Sequence, residues 1–290
     1  MATLRWLNPG VYIRKAQLDI IDFFNIPDAL KQRGFQEVTE APLSATLITP
    51  EAHPCLDTGT REGQLAAIRF LDRFNSKECR TRARKMIFQG EQSVPPDEFQ
   101  FTKTSENELR YAKTFELLLA YQCIKNLKAF SASFGVHISG APEGGDYDCI
   151  ANFQTLLFYI EVKSGNAINI GEERFEFFLA RHEFLQPELS IFLLDTQGVP
   201  DDVVLRFRGL TISGSKKVQR IVKWQRQSET LFTINQNILV VDISKTGDIL
   251  TNIRSALRWF WSFNTAVRSQ MYNLVQPGDL GFTGSVLCND

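Results

Sequence analysis

Two acidic residues and a lysine lie close together near the middle of the chain. Asp148 is followed by Glu161, and Lys163 comes two residues after Glu161. Carboxylate oxygens are hard ligands, which suit Mg²⁺ or Mn²⁺. A cation held by them can bind a phosphate oxygen and lower the pKa of a bound water molecule. A neighbouring ammonium group can stabilise the negative charge that develops during attack at phosphorus. These residue types therefore indicate metal-assisted chemistry on a phosphodiester.

Two runs of alternating apolar residues carry these positions, from 146 to 152 and from 156 to 164. The connection between the runs is short, which predicts an antiparallel β-hairpin. The register is fixed if both apolar sets face the core, because a shift by one residue would turn every side chain to the other face. The predicted core face consists of Tyr147, Cys149, Ala151, Phe158, Ile160 and Val162.

The same register groups the charged residues on the opposite face of the hairpin. Asp148 is predicted to lie opposite Glu161, and Asp146 opposite Lys163. Two carboxylates that face each other across a hairpin repel, so they need a compensating cation. Lys163 supplies part of that charge, and a divalent metal ion would supply more. The alternative is an exposed face on which these residues form ordinary surface ion pairs.

An Asp on one strand followed by Glu-x-Lys on the next resembles the PD-(D/E)xK phosphodiesterase superfamily, the restriction-endonuclease-like nucleases. The resemblance covers about residues 105–196. It implies that Asp148 and Glu161 hold Mg²⁺ or Mn²⁺ and that Lys163 assists the attack. Some family members have a proline before the Asp, whereas this chain has Tyr147.

The family often has a further Glu on the helix that precedes the hairpin. Glu116 fits that position best, as an additional metal ligand or outer-shell acid, and Glu108 is the substitute. A helix residue held in a salt bridge is the alternative interpretation of Glu116. The resemblance implies a metal-dependent nuclease, with DNA as the favoured substrate and endonuclease action as the favoured mode. The alternatives are a catalytically inactive nucleic-acid-binding module and a protein-interaction module that retain the fold.

The rest of the chain predicts a mixed α/β architecture. The order of elements favours a central mixed sheet flanked by helices, and the resemblance implies a restriction-endonuclease-like core. Helices are predicted at 14–33, 62–88, 104–127, 172–184 and 247–263, and further strands at 189–195, 203–212 and 237–243. Asn169 is predicted to cap the fourth helix. The apolar stripe of the third is predicted to comprise Leu109, Ala112, Phe115, Leu119, Cys123 and Leu127.

A polar segment with two adjacent prolines at 89–98 predicts a linker. It divides the chain into a mainly helical accessory region at 1–100 and a nuclease-like α/β domain at 101–290, which ends in a basic extension. The accessory region is a candidate surface for a homodimer or a protein partner.

One basic stretch predicts a nucleic-acid contact. It contains no Asp or Glu, and Phe207 and Trp224 are interleaved with the basic residues. Such a stretch can bind phosphates, although a solvated face balanced by acids elsewhere is the alternative. The basic residues are Arg206, Arg208, Lys216, Lys217, Arg220, Lys223 and Arg226. A second cluster ends the predicted helix at 62–88, and its predicted role is a solvated helix end. That cluster comprises Lys77, Arg80, Arg82, Arg84 and Lys85.

Composition limits the remaining possibilities. The 290 residues carry 32 basic and 33 acidic side chains, so the net charge of -1 predicts no polyanion partner by itself. No apolar run approaches the roughly 18 residues of a membrane span. The five cysteines are scattered and contain no CxxC pair, which favours reduced thiols and a cytoplasmic location.

Overall fold

The computed structural model describes most of the chain, and the statements below concern the residues it describes. These are 26–43, 46–50, 56, 58–91, 99–142, 146–153, 156–196, 201–212, 216–218, 220–263 and 283–287.

Seven α-helices lie in this part of the chain. They are α1 (Ile26–Gln32), α2 (Arg61–Phe74), α3 (Lys77–Arg84), α4 (Ser105–Lys125), α5 (Glu172–Leu185), α6 (Asp201–Leu205) and α7 (Ile249–Phe263). A π-helical turn extends α3, and a 3₁₀ turn precedes α5; they span Lys85–Gln89 and Ala167–Asn169.

Eleven strands also lie in this part of the chain. They are β1 (Val38–Thr39), β2 (Ser131–Ile138), β3 (Tyr147–Phe153), β4 (Leu156–Gly165), β5 (Leu189–Thr196), β6 (Thr211–Ile212), β7 (Lys216–Lys217), β8 (Val222–Arg226), β9 (Glu229–Asn235), β10 (Ile238–Asp242) and β11 (Thr283–Val286).

Nine strands form one mixed sheet in the order β1-β2-β3-β4-β5-β10-β9-β8-β11. Strands β4, β5 and β10 run parallel at its centre, and the other neighbours pair antiparallel. Strands β6 and β7 form a separate pair. The predicted α/β class, with a mixed sheet flanked by helices, is confirmed. Among the described residues, no helix combines the length and the apolar character that crossing a membrane requires.

Apolar side chains cover both faces of the sheet. Helices α2, α3, α4 and α7 pack on one face, and α1, α5 and α6 pack on the other. Along β4, Phe158 and Ile160 join the first cluster, whereas Leu157 and Tyr159 join the second. The hairpin face that carries the predicted acids is therefore covered by α5, since Tyr159 packs on Phe178 at a centroid distance of 5.5 Å.

The predicted core face of the hairpin is wrong at one residue. Tyr147 belongs to the second cluster, whereas Cys149 belongs to the first. The neighbouring strand β2 shows the same change between Phe134 and Val136, which pair with these two residues. Gly135 lies between them with φ +54°, a conformation that glycine adopts at little cost. The regular alternation of both strands is therefore broken at one level of the sheet.

The helix predicted at 62–88 is interrupted. Helix α2 ends at Phe74 and α3 begins at Lys77. Ser76 caps α3, because its Oγ accepts a hydrogen bond of 3.1 Å from Cys79 N. The helix predicted at 14–33 is seen as α1, which begins at Ile26; residues 1–25 lie outside the described residues.

The helix predicted at 104–127 is confirmed as α4, but two of the six residues in its predicted apolar stripe are exposed. Leu109 is 77% exposed, and Ala112 is exposed as well. From Phe115 to Cys123 every residue is buried. The second half of α4 is thus surrounded by protein, which a single apolar stripe does not describe.

The strand predicted at 203–212 is also wrong. Its first part forms the short helix α6, whose Val203 and Val204 are buried; only Thr211–Ile212 is a strand.

Asn169 does not cap α5, because it ends the 3₁₀ turn and Gly171 takes the N-cap position. The strands predicted at 189–195 and 237–243 are confirmed as β5 and β10, and the helix at 247–263 as α7.

The described N-terminal residues share a core with the rest of the chain. Ile48, Phe70 and Phe74 belong to the same apolar cluster as Phe115 and the first face of the sheet. The predicted linker falls mostly on residues 92–98, which lie outside the described residues. The division near residue 100 stays a prediction.

A buried ion pair joins α3 to the central sheet. Arg80 is 0% exposed and Asp195 is 1% exposed. Arg80 Nε donates to Asp195 Oδ2 at 2.8 Å, and Arg80 Nη2 donates to the Gly247 carbonyl at 2.8 Å. Arg84 Nη1 adds a bond of 3.0 Å to the Asp195 carbonyl. The prediction of a solvated helix end is therefore wrong for Arg80, whose charge is paired inside the protein.

Replacing Arg80 by alanine should destabilise the fold by about 3–5 kcal/mol, because it removes the guanidinium that is hydrogen-bonded to the buried Asp195 carboxylate. Arg84 Nη2, 3.7 Å from Asp195 Oδ2, is then left to compensate that charge. Lys125→Ala removes a half-exposed pair with Asp72, 2.7 Å apart, and should cost at most about 1 kcal/mol. Urea unfolding followed by circular dichroism measures both values. Equal losses in the two variants would contradict the assigned role of Arg80.

Candidate active site

Asp148 lies where the ladder between β3 and β4 ends. The paired residues run from Cys149–Ile160 to Phe153–Leu156, so the predicted register is confirmed over these five pairs. The pairs predicted between Asp148 and Glu161 and between Asp146 and Lys163 lie beyond this ladder. Beyond the last pair, Asp148 Oδ2 accepts a hydrogen bond of 2.7 Å from Val162 N. The side chain thus replaces a backbone acceptor, and this bond fixes the carboxylate against β4.

Lys163 brings the two predicted acids together. Its Nζ lies 2.5 Å from Glu161 Oε1 and 3.8 Å from Asp148 Oδ2. Both acids are buried, Glu161 at 4% and Asp148 at 8% exposure. Asp148, Glu161 and Lys163 therefore converge, as the predicted register requires. Because the acids are buried, they do not form the exposed surface pairs of the alternative interpretation.

Glu116 approaches from α4 and completes what we call the carboxylate site: Glu116, Asp146, Asp148 and Glu161. Its Oε2 accepts a hydrogen bond of 2.9 Å from Lys113 Nζ. Lys113 also donates to Asp146, which the register had placed opposite Lys163. Two lysines thus each contact two of the four acids. Glu108, the substitute candidate, is only half-buried near the start of α4.

Gly135 forms part of the floor of the carboxylate site. A Cβ atom at this position would lie 2.6 Å from the Ala41 Cβ and 3.6 Å from carboxylate oxygens of Glu116 and Asp146. A side chain here would clash with Ala41 and crowd the two acids. The break in strand alternation and the room for these acids therefore depend on the same glycine.

Burial and mutual repulsion disfavour the ionised forms of two acids. Burial and the neighbouring Glu161 raise the pKa of Asp148 to about 7. Burial and the neighbouring Asp148 raise the pKa of Glu116 to about 9, although Lys113 opposes the shift. The lysines therefore compensate these carboxylates incompletely.

Two further residues hold Glu161 in place. The Tyr159 hydroxyl and Arg181 Nη1 both donate to Glu161 Oε2, the latter at 3.3 Å. Tyr159 lies two residues before Glu161 on the same strand face, and Lys113 lies one helical turn before Glu116. Those spacings were visible in the sequence. Arg181 comes from α5, and the sequence does not specify that its side chain reaches β4.

The donor set fits a hard divalent cation in chemistry and charge. All the available oxygens are carboxylates, which suit Mg²⁺ or Mn²⁺. Four acids face three cationic groups, those of Lys113, Lys163 and Arg181. Within the described residues, however, no three His, Cys, Asp or Glu side chains are arranged so that they could hold a metal ion. The Lys163 ammonium group lies between Glu161 and Asp148, at the position that a metal ion would need.

The basic stretch is partly engaged within the protein. Arg206 Nη1 donates to the Ile170 carbonyl at 2.5 Å. Lys223 pairs with Asp201 at 2.7 Å, and Arg226 pairs with Glu229 at 3.5 Å. Arg208, Lys217 and Arg220 are exposed, and the side chain of Lys216 lies outside the described residues.

The two aromatic residues interleaved in the basic stretch pack within the protein. Phe207 is fully buried among Phe175, Phe178 and Phe192. Trp224 is half-buried, and its Nε1 donates to Thr233 Oγ1 at 3.2 Å. The structure therefore leaves a smaller basic surface than the sequence predicts.

Comparisons of this chain with protein-family models, curated proteins and solved structures find no match.

Asp148→Asn should stabilise the metal-free protein at pH 8. The Asp148 pKa rises from 3.8 to about 7 on folding, so stability is lost as pH increases through this range. Asparagine keeps the acceptor for Val162 N and has no charge to bury. We expect a higher melting temperature than wild type at pH 8 and a smaller difference at pH 4, measured by scanning calorimetry. A lower melting temperature at pH 8 would contradict this electrostatic account.

Proposed function

We propose that the protein is a metal-dependent nuclease that hydrolyses phosphodiester bonds, with DNA as its substrate. The observation that carries this proposal is the convergence of Asp148 and Glu161 on Lys163, with Glu116 beside them on α4. Asp148 lies on β3, Glu161 and Lys163 lie on β4, and Glu116 lies on α4. Three elements of the fold therefore hold these side chains in a preorganised arrangement.

The arrangement around the site supports a restriction-endonuclease-like core. The long helix α4 precedes the β3–β4 hairpin, and helix α5 and the parallel strand β5 follow it. This order agrees with the one that the PD-(D/E)xK resemblance implies for residues 105–196. The assignment to that fold remains part of the proposal.

Each residue of the site would have a separate role. Asp148 and Glu161 would hold Mg²⁺ or Mn²⁺, with Glu116 as a further ligand or outer-shell acid. When bound, the cation would polarise the phosphoryl group and lower the pKa of a water molecule. Lys163 would turn from Glu161 towards the phosphate and stabilise the charge on its oxygens. Arg181 and Tyr159 would keep Glu161 oriented.

A catalytically inactive nucleic-acid-binding module is the second candidate. It is favoured by the position of the Lys163 ammonium group between the two acids, which compensates part of their charge without a metal. Calorimetric titration with Mn²⁺ separates the candidates, because only the nuclease requires a bound divalent cation.

Lys163→Ala should reduce cleavage at least about a hundredfold, since it removes a charge that acts on the transition state. The assay is cleavage of plasmid DNA, single-stranded DNA and RNA with Mg²⁺ or Mn²⁺, against EDTA. Lys125→Ala is the matched control, because that lysine lies in a surface pair with Asp72.

Lys163 is half-buried and paired with two acids, so its loss could also weaken the fold. Glu161→Gln keeps an acceptor for Tyr159 and should likewise abolish cleavage, together with metal binding. Wild-type rates in a folded Lys163→Ala protein would refute the role of this lysine, and wild-type rates in EDTA would refute the metal requirement.

The exposed part of the basic stretch should contribute to DNA affinity. The triple variant Arg208→Ala, Lys217→Ala, Arg220→Ala should flatten the slope of log K against log salt by up to about 0.9 per lost phosphate contact. Duplexes of different sequence should weaken about equally, because phosphate contacts carry no sequence information. Filter binding at several salt concentrations measures the slope. An unchanged slope would place the DNA on another surface.

A further inference from the structure

We propose that a cavity beside Lys163 binds one nucleotide of an unpaired strand, next to the phosphate that is cleaved. This proposal rests on the nuclease function proposed for the carboxylate site and specifies its substrate as single-stranded or locally unpaired nucleic acid.

The cavity opens beyond the end of β4. It has a volume of about 400 Å³, and the residues that line it include Lys163, Ser164, Asn166, Asn169 and Arg174. This volume is within the range of small-molecule sites, roughly 300–1,000 Å³. Lys163 belongs to both places, since its Nζ contacts Glu161 and Asp148 and the same residue lines the cavity. A group bound in the cavity is therefore adjacent to the carboxylate site.

The charges of the cavity favour a phosphate. Lys163 and Arg174 are cationic, and Glu173 is the acid in its lining. Arg174 is exposed at the start of α5. An arginine guanidinium can bind two phosphate oxygens at once. We assign Arg174 to the phosphate that flanks the cleaved one.

A short turn between two lining residues, Asn166 and Asn169, carries an exposed apolar side chain. Ile168 is 59% exposed, whereas its neighbours Ala167 and Ile170 are buried. Arg206 Nη1 donates to the carbonyls of Ile168 and Ile170, at 3.4 and 2.5 Å. Asn166 Oδ1 accepts a hydrogen bond from Ile168 N at 3.2 Å. Hydrogen bonds thus hold the turn on both sides, and they fix Ile168 between two residues that line the cavity.

These features together favour a whole nucleotide rather than a phosphate alone. A phosphate would use Arg174 and Lys163 but not the apolar Ile168 side chain. A base or sugar can pack on Ile168, and the amide nitrogens of Asn166 and Asn169 can donate to a base edge. In a duplex the bases are stacked and paired, so one must leave the stack to make these contacts. An unpaired strand makes them without that cost.

The test is fluorescence anisotropy in EDTA with a labelled single-stranded DNA of about 12 nucleotides and with its duplex. Arg174→Ala should weaken single-strand binding about tenfold. Ile168→Ala should weaken it about threefold and leave duplex binding within a factor of about two. Arg254→Ala and Phe130→Ala are the controls. Arg254 is exposed on α7, which packs on the other face of the sheet, and the exposed Phe130 lies by Asn152, near the turn of the hairpin and away from Asp148. Both should bind like wild type.

Binding without metal separates this proposal from the nuclease activity. Weaker single-strand binding in Arg174→Ala and Ile168→Ala supports the subsite even if the wild-type protein cleaves nothing. Wild-type single-strand affinity in both variants overturns the subsite even if the protein cleaves DNA. Equal losses for single strand and duplex in Ile168→Ala overturn the preference for an unpaired strand.

Discussion

Arg80 and Asp195 form an ion pair that has almost no contact with solvent, and it connects the helical layer to the centre of the sheet. Asp195 is the register partner of Ser164, the residue after Lys163. A buried charge is tolerated only when it is paired and hydrogen-bonded. Arg80 meets this condition with Asp195 and with backbone carbonyls, including that of Gly247. The position of α3 relative to β5 is therefore tightly restricted, and the end of β4 lies against a rigid neighbour.

The carboxylate site has the opposite balance of charge. Its acids outnumber the cationic groups that contact them, and burial raises the pKa values of Asp148 and Glu116. An arrangement chosen for stability alone would pair these charges or replace them with apolar side chains. Strain of this kind is typical of sites where function has been favoured over stability. Asp195 lies on β5, next to β4, which carries Glu161 of the carboxylate site. The stable Arg80–Asp195 pair therefore supports the strands that hold the repelling carboxylates.

The sequence predicted the hairpin well because its information is local. Alternating apolar residues set the pairing of Cys149 with Ile160, and that register was enough to bring Asp148 and Glu161 together. The same reasoning failed at Tyr147, because the change of face depends on Gly135 in a neighbouring strand.

Other features depend on partners far away in the sequence. Arg80 resembles the other basic residues of its helix, and only the folded chain shows that Asp195 lies within reach. The same is true of Arg206, which binds backbone carbonyls of the turn before α5. Charge and hydropathy patterns predict which elements form, but they do not predict which polar side chains become buried between them.

The topology of the sheet has a consequence for the order of folding. The β3–β4 hairpin pairs residues that are close in sequence, whereas β4, β5 and β10 are parallel and connected through helices. Local pairings form faster than distant ones because less chain entropy is lost in closing them. Asp148 and Glu161 would therefore meet early, while α5 and Arg181 are still unattached. During that interval Lys163 is the basic residue within the hairpin itself, so it is the positive charge that can compensate these two acids before α5 packs.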